Sequence, residues 1–191
     1  MSVLSDKQIV ELCETQGMIT PFHAQQVSED ENGNRVISYG VSSYGYDIRL
    51  APEVLVLSAA RFNSVDPKAQ SLDNYVPLTG DNFLLPPYGF MLARSIEYMK
   101  IPDNVLVLCV GKSTYARCGV IVNVTPLEPG WEGEITLEIH NTSGAPVKIY
   151  ANEGICQLVF HRGEPCTTTY AKRQKGPGKY QGQKGITLSR V

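Results

Sequence analysis

The sequence contains 191 residues, of which 42% are hydrophobic and 19% are charged, with 17 Lys and Arg against 19 Asp and Glu. This composition excludes a disordered chain and a collagen-like repeat, and the length suffices for one domain with a sizeable core. The formal net charge of -2 excludes a strongly basic nucleic-acid coat, so we expect no nucleic-acid partner, while a pocket for a small anion stays compatible with it.

One helix is predicted near the N-terminus. Ser5 and Gln8 form a capping box, and the apolar residues that follow recur at helical spacing. Gly17 supplies the stop.

After this helix the period of the apolar residues changes to two, which is typical of strands. Short β-rich runs bounded by Gly, Pro, Asn or Asp occur at 53–57, 89–94, 104–110, 119–125, 134–141, 147–150 and 154–160. Many short strands without alternating helices predict an antiparallel sandwich or a closed barrel.

The clearest alternation runs from Glu134 to His140, where Ile and Leu face one side and polar residues face the other. Glu138 lies on the polar side, among apolar neighbours. Burial of such a carboxylate raises its pKa, which suits proton transfer near neutral pH, unless a partner such as Arg117 gives it an ordinary structural role.

The segment Gly111-Lys112-Ser113-Thr114 looks like the end of a P-loop. The Walker pattern requires Gly at position 106, where this chain has Leu106, so that interpretation fails. The remaining alternatives are a cradle for phosphate, built from backbone N–H groups, hydroxyls and the cations of Lys112 and Arg117, and a solvated turn.

The stretch from Ala171 to Gly185 contains five Lys or Arg, four Gly and no large aliphatic residue, so it cannot form a core by itself. It is either a flexible tail or a lid that closes over an anion. Trp131, the single tryptophan, is expected in the core more than at a ligand.

Two further features concern the cell compartment. The longest apolar run, around 104–110, is far shorter than the ~20 residues of a membrane-spanning helix, and the first residues lack the pattern of a signal peptide, so we expect a cytoplasmic protein without a membrane partner. The cysteines are odd in number and form no Cys-x-x-Cys pair, which predicts reduced, mostly buried thiols and neither a disulfide framework nor a structural zinc site.

Five segments in a fixed order carry a resemblance that covers nearly the whole chain from about residue 40. They are 42–50, with Gly-Tyr-Asp at its centre, 111–117, 127–138, 154–160 and 178–183. In this order they resemble the dCTP deaminase and dUTPase family, and most closely its dCTP deaminase branch. The resemblance implies a mainly β fold, a distorted antiparallel jelly-roll-like barrel of the dUTPase type with a short N-terminal helix. It also implies one domain over residues 1–191, with 171–191 as a Gly- and Lys-rich lid.

The resemblance assigns the chemistry to particular residues. It implies that Glu138 is the catalytic glutamate and that Ser113 and Arg117 lie beside the cytosine and the attacking water. The full set of implied substrate-binding residues is Lys112, Ser113, Thr114, Tyr115, Ala116, Arg117, Thr136, Leu137, Glu138, Gln157, Tyr170, Lys179 and Gln183.

The implied reaction is the hydrolytic deamination of dCTP to dUTP and ammonia, which supplies dUTP for dUMP and dTTP synthesis. Zinc is not expected, because His23, His140 and His161 lie outside the H-x-E pattern of zinc deaminases and no Cys pair exists. Glu138 is then the group that takes a proton from water and delivers it to N3 of the base.

Two alternatives stay open. Glu128 matches the water-activating aspartate of dUTPases, which leaves a bifunctional enzyme that yields dUMP and pyrophosphate. The other is a nucleotide sensor without turnover, against which Glu138 argues, because a triphosphate binder gains nothing from an additional anion in its pocket.

The expected cofactor is Mg²⁺ carried on the triphosphate, with no direct protein ligand. Asp47 either contacts that shell through water or stabilises a turn. The resemblance implies feedback by dTTP and a homotrimer with active sites between subunits, in which Glu138 and the 112–117 loop belong to one subunit and Lys179 and Gln183 to another.

Overall fold

The computed structural model describes residues 2–61, 64–174 and 176–191. Lys175, one of the basic residues of the predicted lid, lies outside the described residues. The helices are α1 (Asp6–Gln16) and α2 (Ser113–Ala116), with 3₁₀ turns at Ala59–Arg61, Leu72–Asn74 and Tyr170–Lys172. The strands are β1 (Ser2–Val3), β2 (Ile19–Thr20), β3 (Val27–Glu29), β4 (Arg35–Ser42), β5 (Gly45–Leu57), β6 (Tyr75–Thr79), β7 (Asn82–Leu85), β8 (Phe90–Lys100), β9 (Val105–Gly111), β10 (Val120–Asn123), β11 (Glu132–Asn141), β12 (Val147–Tyr150) and β13 (Gly154–Arg162).

The long strand β5 holds the main sheet together. Its first part pairs with β13 from Tyr46 to Arg49, and its second part pairs with β6 and β8 from Leu50 onward. The strand order β1-β13-β5-β8-β11-β10 follows from this change of partner, with β9 on the other side of β13. The named strands pair antiparallel, so the prediction of a mainly antiparallel β fold is confirmed.

Helix α1 forms where the sequence predicts it. The capping box of Ser5 and Gln8 is present, and Gly17 ends the helix in the left-handed conformation, with φ of 64°. Ile9, Leu12 and Cys13 are buried in the core that the sheet encloses. Within the described ranges, no helix has the length and apolar character needed to cross a membrane.

The predicted strands all exist, and several are longer than expected. The run predicted at 53–57 is the end of β5, and the run at 89–94 is the first half of β8. Strands β1 to β4, β6 and β7 were not expected. All but β4 are short, and β1, β2 and β7 also depend on partners distant in the sequence, namely β13, β8 and β12.

The prediction that most cysteines are buried is only partly right. Cys13 and Cys156 are buried and Cys109 is half-buried, whereas Cys118 and Cys166 are exposed, and all five thiols are free. The two exposed cysteines lie outside regular elements, where no sheet face covers them.

Strand β11 lies between β8 and β10, with Glu138 opposite Leu92 on one side and Asn123 on the other. Ile135, Leu137 and Ile139 are fully buried, and the polar residues between them are not. The predicted alternation is confirmed, and it directs the side chain of Glu138 away from the core.

Candidate active site

A cavity of about 650 Å³ lies between the polar face of β11 and the C-terminal tail. Its size is that of a small-molecule site, for which a volume of roughly 300–1,000 Å³ is typical. The apolar part of the wall includes Phe90, Leu92, Val124, Leu127, Trp131 and Ile135. Thr136, Glu138 and Gln183 supply polar groups in the same space, an arrangement suited to a flat ligand with a few hydrogen-bonding atoms.

Among the carboxyl groups that line this cavity, that of Glu138 has the most strongly shifted pKa. Burial raises the pKa of its carboxyl from 4.5 to about 7, and a hydrogen bond from Asn123 opposes that rise. The Asn123 amide donates to Oε2 over 3.4 Å, which is a long contact. Arg117, the partner that sequence reasoning offered, instead donates to the carbonyl of Ser113 at 3.0 Å. The expected rise in the pKa of Glu138 is therefore confirmed.

The neighbouring residues on β11 differ in what they offer. The hydroxyl of Thr136 lines the cavity and accepts hydrogen bonds from Gln183 and from the backbone of Thr187. Leu137 is fully buried on the other face of the strand, so only its backbone is available on the cavity side. The predicted role of Leu137 is therefore limited to main-chain groups.

The tail is ordered along the cavity by specific contacts. Gln183 donates to the carbonyl of Glu134 at 2.7 Å, and the indole of Trp131 donates to the carbonyl of Tyr180 at 3.0 Å. Gly178 packs so closely on the ring of Tyr170 that a Cβ at this position would overlap the ring. Of the two interpretations of the tail, its position over the cavity favours the lid.

Trp131 serves both roles considered for it. Its exposed fraction is only 4%, as expected for a core residue, and its ring also forms part of the cavity wall. Because it also binds the tail backbone, it links the core to the tail.

Arg173 and Glu128 form an ion pair at the cavity. One guanidinium nitrogen of Arg173 donates to both carboxylate oxygens of Glu128 at 2.6 Å, and the guanidinium lies 4.4 Å from the ring centre of Tyr170. Sequence reasoning did not single out Arg173, although its place three residues after Tyr170 in a basic segment was a usable signal. It also missed Gln70, which lines the cavity from the connection between β5 and β6, where no sequence pattern marks it.

The 112–117 loop does not reach this cavity. Its exposed residues are Ser113, Thr114, Ala116 and Arg117, whereas Tyr115 is buried and its hydroxyl accepts from the backbone of Tyr150 at 2.9 Å. The loop leads into β10, whose first residue Val120 pairs with Asn141, three residues or ~10 Å beyond Glu138 along β11. Within the described part of the chain, neither this loop nor Gln157 lines the cavity.

Lys112 and Gln157 lie together elsewhere, around Asp47. The Lys112 ammonium donates to Asp47 at 2.6 Å, and the Gln157 amide donates to the other carboxylate oxygen at 3.3 Å. The two cations expected to converge at this loop are therefore separated, because Lys112 points to Asp47 and Arg117 is exposed.

Within one chain, the tail accompanies Glu138 and the 112–117 loop does not. Lys179 and Gln183 line the same cavity as Glu138 of their own chain, whereas the 112–117 loop is remote from it. The tail reaches Glu138 because it runs beside β11, where Gln183 pairs with Gly133. Glu138 and the tail belong together, and the loop belongs to a different surface.

Among the residues with described positions, no three His, Cys, Asp or Glu side chains come together as a metal site. The polar groups at the cavity are instead carboxylates, amides, hydroxyls and two tail cations. Such a set suits a polar or anionic organic ligand and proton transfer.

Comparisons with known proteins agree on one family. A family model described as dCTP deaminase-like matches residues 3–163. The dCTP deaminases of Alcanivorax borkumensis and Marinobacter nauticus are 53% and 54% identical to this chain, over 100% of either chain. The crystal structure of 2'-deoxycytidine 5'-triphosphate deaminase from Agrobacterium tumefaciens has a TM-score of 0.62 at 17% identity, covering 84% of this chain and 48% of that one. The last likeness shows a shared fold, and this chain spans about half the length of that solved chain.

Proposed function

This chain belongs to the dCTP deaminase family, and we propose that it hydrolyses dCTP to dUTP and ammonia. The observation that carries the proposal is the carboxyl of Glu138, which lies in a ligand-sized cavity with a pKa of about 7. A group with this pKa accepts and returns a proton with similar ease at neutral pH. The product dUTP is proposed to supply the synthesis of dUMP and dTTP.

The proposed chemistry uses one carboxylate twice. The Glu138 carboxylate takes a proton from water as the water oxygen bonds to C4 of the cytosine, and it delivers this proton to N3. It then moves the proton of the new hydroxyl to the 4-amino group, so that the C4–N bond breaks and ammonia leaves. Proton transfer of this kind contributes roughly 100- to 10,000-fold, so positioning and electrostatics must supply the rest.

The cavity supports a pyrimidine nucleotide. Its apolar wall, with Trp131 and Leu92, suits the face of a base, and the backbone of β11 from Thr136 to Glu138 offers groups for the base and the sugar. We assign Tyr170, Lys179 and Gln183 to substrate binding from the lid side, since all three line the same space.

The triphosphate is proposed to enter as its Mg²⁺ complex, in which the ion keeps phosphate and water ligands and needs few from the protein. Water activation is assigned to Glu138 without zinc, which the lack of a clustered ligand set among the described side chains supports. Asp47 is not a suitable Mg²⁺ contact, because it is 4% exposed and its oxygens already accept from Lys112, Gln26 and Gln157.

We further propose a homotrimer in which each site joins two chains. One chain supplies the cavity with Glu138 and the lid, and its neighbour supplies Ser113 and Arg117 from the exposed loop. Support comes from the loop itself, which exposes a hydroxyl and a guanidinium while the cavity of its own chain lies elsewhere. Apolar side chains near the loop, Leu108, Val110 and Ile121, are exposed on β9 and β10, as expected of a surface that another copy covers.

Three remaining expectations are proposals of the same kind. The chain is proposed to form a single domain, with residues 171–191 as its lid. Its free thiols fit a reducing compartment, which supports a cytoplasmic site of action. Feedback by dTTP is proposed at the same cavity, since a pyrimidine triphosphate shares the groups that this cavity recognises.

The bifunctional alternative depends on Glu128, which lines the same cavity. Both oxygens of its carboxylate accept from Arg173, so this carboxylate is engaged and is not free to activate water. We therefore propose deamination without pyrophosphate release.

The test is an assay of the purified protein with dCTP and Mg²⁺ that follows ammonia, dUTP and pyrophosphate in one tube. We expect equal amounts of ammonia and dUTP, no pyrophosphate, loss of activity without Mg²⁺ and no effect of a zinc-selective chelator. If the protein binds dCTP but releases no ammonia, it is a nucleotide sensor and not an enzyme. If pyrophosphate is released in step with ammonia, the enzyme is bifunctional. Activity that depends on stoichiometric zinc would overturn the assignment of water activation to Glu138.

A further inference from the structure

The tail covers part of one edge of β11. Strand β8 pairs along the opposite edge, whereas β10 covers this edge only from Glu138 onward. At the end that β10 leaves open, the amide of Gly182 donates to the carbonyl of Glu132 at 2.8 Å, and the amide of Glu134 donates to the carbonyl of Gln183 at 3.0 Å. The tail therefore runs parallel to the first residues of β11 and pairs with them.

The carboxylate of Glu134 binds the tail just beyond this pairing. Its Oε2 atom accepts a hydrogen bond from the amide of Gly185 at 2.6 Å, which is shorter than the two backbone contacts. Hydrogen bonds to an ionised acceptor are roughly twice as strong as neutral ones. Gly185 has a φ of 70°, a left-handed conformation that glycine adopts without strain. The contact therefore depends on a carboxylate at position 134 and on a glycine at position 185.

Arg94 holds the Glu134 carboxylate from β8. Its Nη1 atom lies 3.5 Å from Oε2 of Glu134, and its Nη2 atom donates to Glu53 on β5 at 2.9 Å. Arg94 is opposite Thr136 in the pairing of β8 and β11, so its guanidinium reaches the next polar position on the same face. The side chains of Arg94 and Glu134 are 23% and 21% exposed, and the pair is partly shielded from water. Arg94 thus keeps the carboxylate where Gly185 meets it.

This contact acts on the cavity indirectly. Glu134 and Arg94 do not line the cavity themselves. Gln183, two residues before Gly185, and Thr187, two residues after it, both do. The carboxylate therefore fixes the tail between two positions that form the cavity wall.

We propose that Glu134 is a positioning residue for the deamination of dCTP. Its carboxylate, held by Arg94, fixes the tail at Gly185 and thereby keeps Gln183 and Lys179 over the cavity. This inference rests on the proposed function, which assigns Gln183 and Lys179 to substrate binding.

Loss of this contact has a specific kinetic signature. Glycines at 176, 178, 182 and 185 give the released tail many conformations, and restricting them costs free energy. If the tail lies over the cavity for only part of the time, the apparent affinity for dCTP falls by that fraction. KM and Kd then rise, whereas kcat changes little, because saturating dCTP draws the tail back. A role in proton transfer would lower kcat instead, and a purely structural role would lower only the unfolding temperature.

The kinetic experiment compares Glu134→Ala, Glu134→Gln, Arg94→Met and the double variant Arg94→Met with Glu134→Ala in the full-length protein. KM and kcat are obtained from ammonia release with saturating Mg²⁺, and the Kd for dCTP is measured by calorimetry in a Glu138→Gln background. We expect Glu134→Ala to raise KM and Kd roughly 3- to 30-fold, with kcat within about threefold of the parent. Glu134→Gln keeps an accepting oxygen and should lie between the parent and Glu134→Ala. Arg94→Met should have a smaller effect, and the double variant should match Glu134→Ala, because Arg94 acts through Glu134.

Proteolysis measures the same contact without turnover. Lys184 precedes Gly185 and has an exposed side chain, so trypsin can cut there once the backbone leaves β11. In the absence of dCTP, we expect Glu134→Ala to be cut after Lys184 at least about threefold faster than the parent, as followed by mass spectrometry.

Gly185→Ala tests the contact from the side of the tail. A Cβ at Gly185 would meet no atom within 4 Å, so the substitution acts through the strain of the positive φ. It should raise KM and Kd in the same direction as Glu134→Ala. Gly163→Ala is the control, because a Cβ there also meets no atom within 4 Å and the φ of Gly163 lies outside the left-handed region.

Glu132→Gln is the matched control for the carboxylate. Glu132 lies two residues before Glu134 on the same face of β11, and it contacts the tail through its backbone carbonyl. We expect Glu132→Gln and Gly163→Ala to keep the KM, the Kd and the cleavage rate of the parent.

The outcomes separate the two levels. A parent that releases no ammonia from dCTP would overturn the proposed function, and the role of Glu134 in deamination with it. With an active parent, the inference alone would be overturned if Glu134→Ala kept the KM and Kd of the parent, if its kcat fell more than about tenfold at unchanged Kd, or if cleavage after Lys184 were no faster. If Glu134→Ala does not fold, Glu134→Gln and Gly185→Ala decide by the same criteria.

Discussion

Two carboxylates on the strands of this protein have opposite surroundings. Glu138 faces the cavity with one donor at 3.4 Å, and burial raises its pKa to about 7. Asp47 faces a closed cluster, where Lys112, Gln26 and Gln157 all donate to it. The poorly satisfied acid suits proton transfer, and the fully satisfied acid suits a fixed position.

This contrast identifies Glu138 as a position where a group needed for the reaction lowers the stability of the fold. An ionised carboxylate with a single long hydrogen bond is unfavourable in a partly buried place, and a sequence selected for stability alone would give it a cation. Asp47 has such a cation in Lys112, and Glu138 has none within hydrogen-bond distance among the described residues. The difference yields four predictions.

The largest effect is expected for Glu138→Gln. The amide keeps the size of the side chain but cannot accept the proton from water, so deamination should fall roughly 100- to 10,000-fold. Binding of dCTP should stay within about tenfold, which equilibrium titration with Mg²⁺ and dCTP measures.

The matched control is Glu132→Gln on the same strand. Glu132 shares the polar face of β11 but does not line the cavity, so its variant should keep the activity of the parent. If Glu138→Gln retained more than a few per cent of the parent rate, Glu138 would not be the base.

The next largest effect is expected when two inactive variants are assembled into mixed trimers. Glu138→Gln and Arg117→Met chains, each nearly inactive alone, are denatured and refolded together. If each site joins two chains of a trimer, about a quarter of the sites receive both intact groups. Activity should rise accordingly in the ammonia assay.

The control pair is Glu138→Gln with Lys179→Ala. Both side chains line one cavity of one chain, so no mixed trimer restores an intact site. If this pair recovered activity and the first pair did not, the lid over each cavity would come from the neighbouring subunit. Sedimentation as a monomer would exclude shared sites altogether.

The sequence allowed the local features to be predicted and left the distant ones open. The capping box of α1 and the alternation on β11 are local patterns, and both identified their elements and the side of Glu138. The Lys112 and Asp47 contact depends on β13 lying between β5 and β9, which no local pattern specifies. For the same reason, no local pattern gives the distance between the 112–117 loop and Glu138: β10 begins opposite Asn141 and comes opposite Glu138 only at its last residue, Asn123.

The pH dependence of catalysis should report Glu138 directly. Because the base must be ionised, kcat/KM should fall about tenfold for each pH unit below about 7. The Asn123 amide stabilises the carboxylate, so Asn123→Ala should move this limb to higher pH, by about one unit or less. Asn82→Ala, an exposed asparagine on β7, is the control and should leave the limb in place. A limb near pH 4 in the parent would show that the carboxylate has a stronger partner.

The smallest expected effect concerns stability. In the unfolded chain the carboxyl of Glu138 has its ordinary pKa of 4.5, and in the folded chain its pKa is about 7. At pH 4 the carboxyl is mostly protonated in both states, so the parent and Glu138→Gln should unfold at similar temperatures. Between pH 4.5 and 7 the unfolded chain releases this proton while the folded chain still holds it, so the parent loses stability that the glutamine keeps, and the difference levels off above pH 7. Because the group is partly open to water, we expect a difference of about 1 kcal/mol at pH 8.5, or about 2–4 °C in Tm by scanning calorimetry. Glu132→Gln should show no such growth of the difference with pH. If Glu138→Gln were instead the less stable protein at pH 8.5, the Glu138 carboxylate would be a stabilised ion like Asp47, and the contrast between the two acids would be lost.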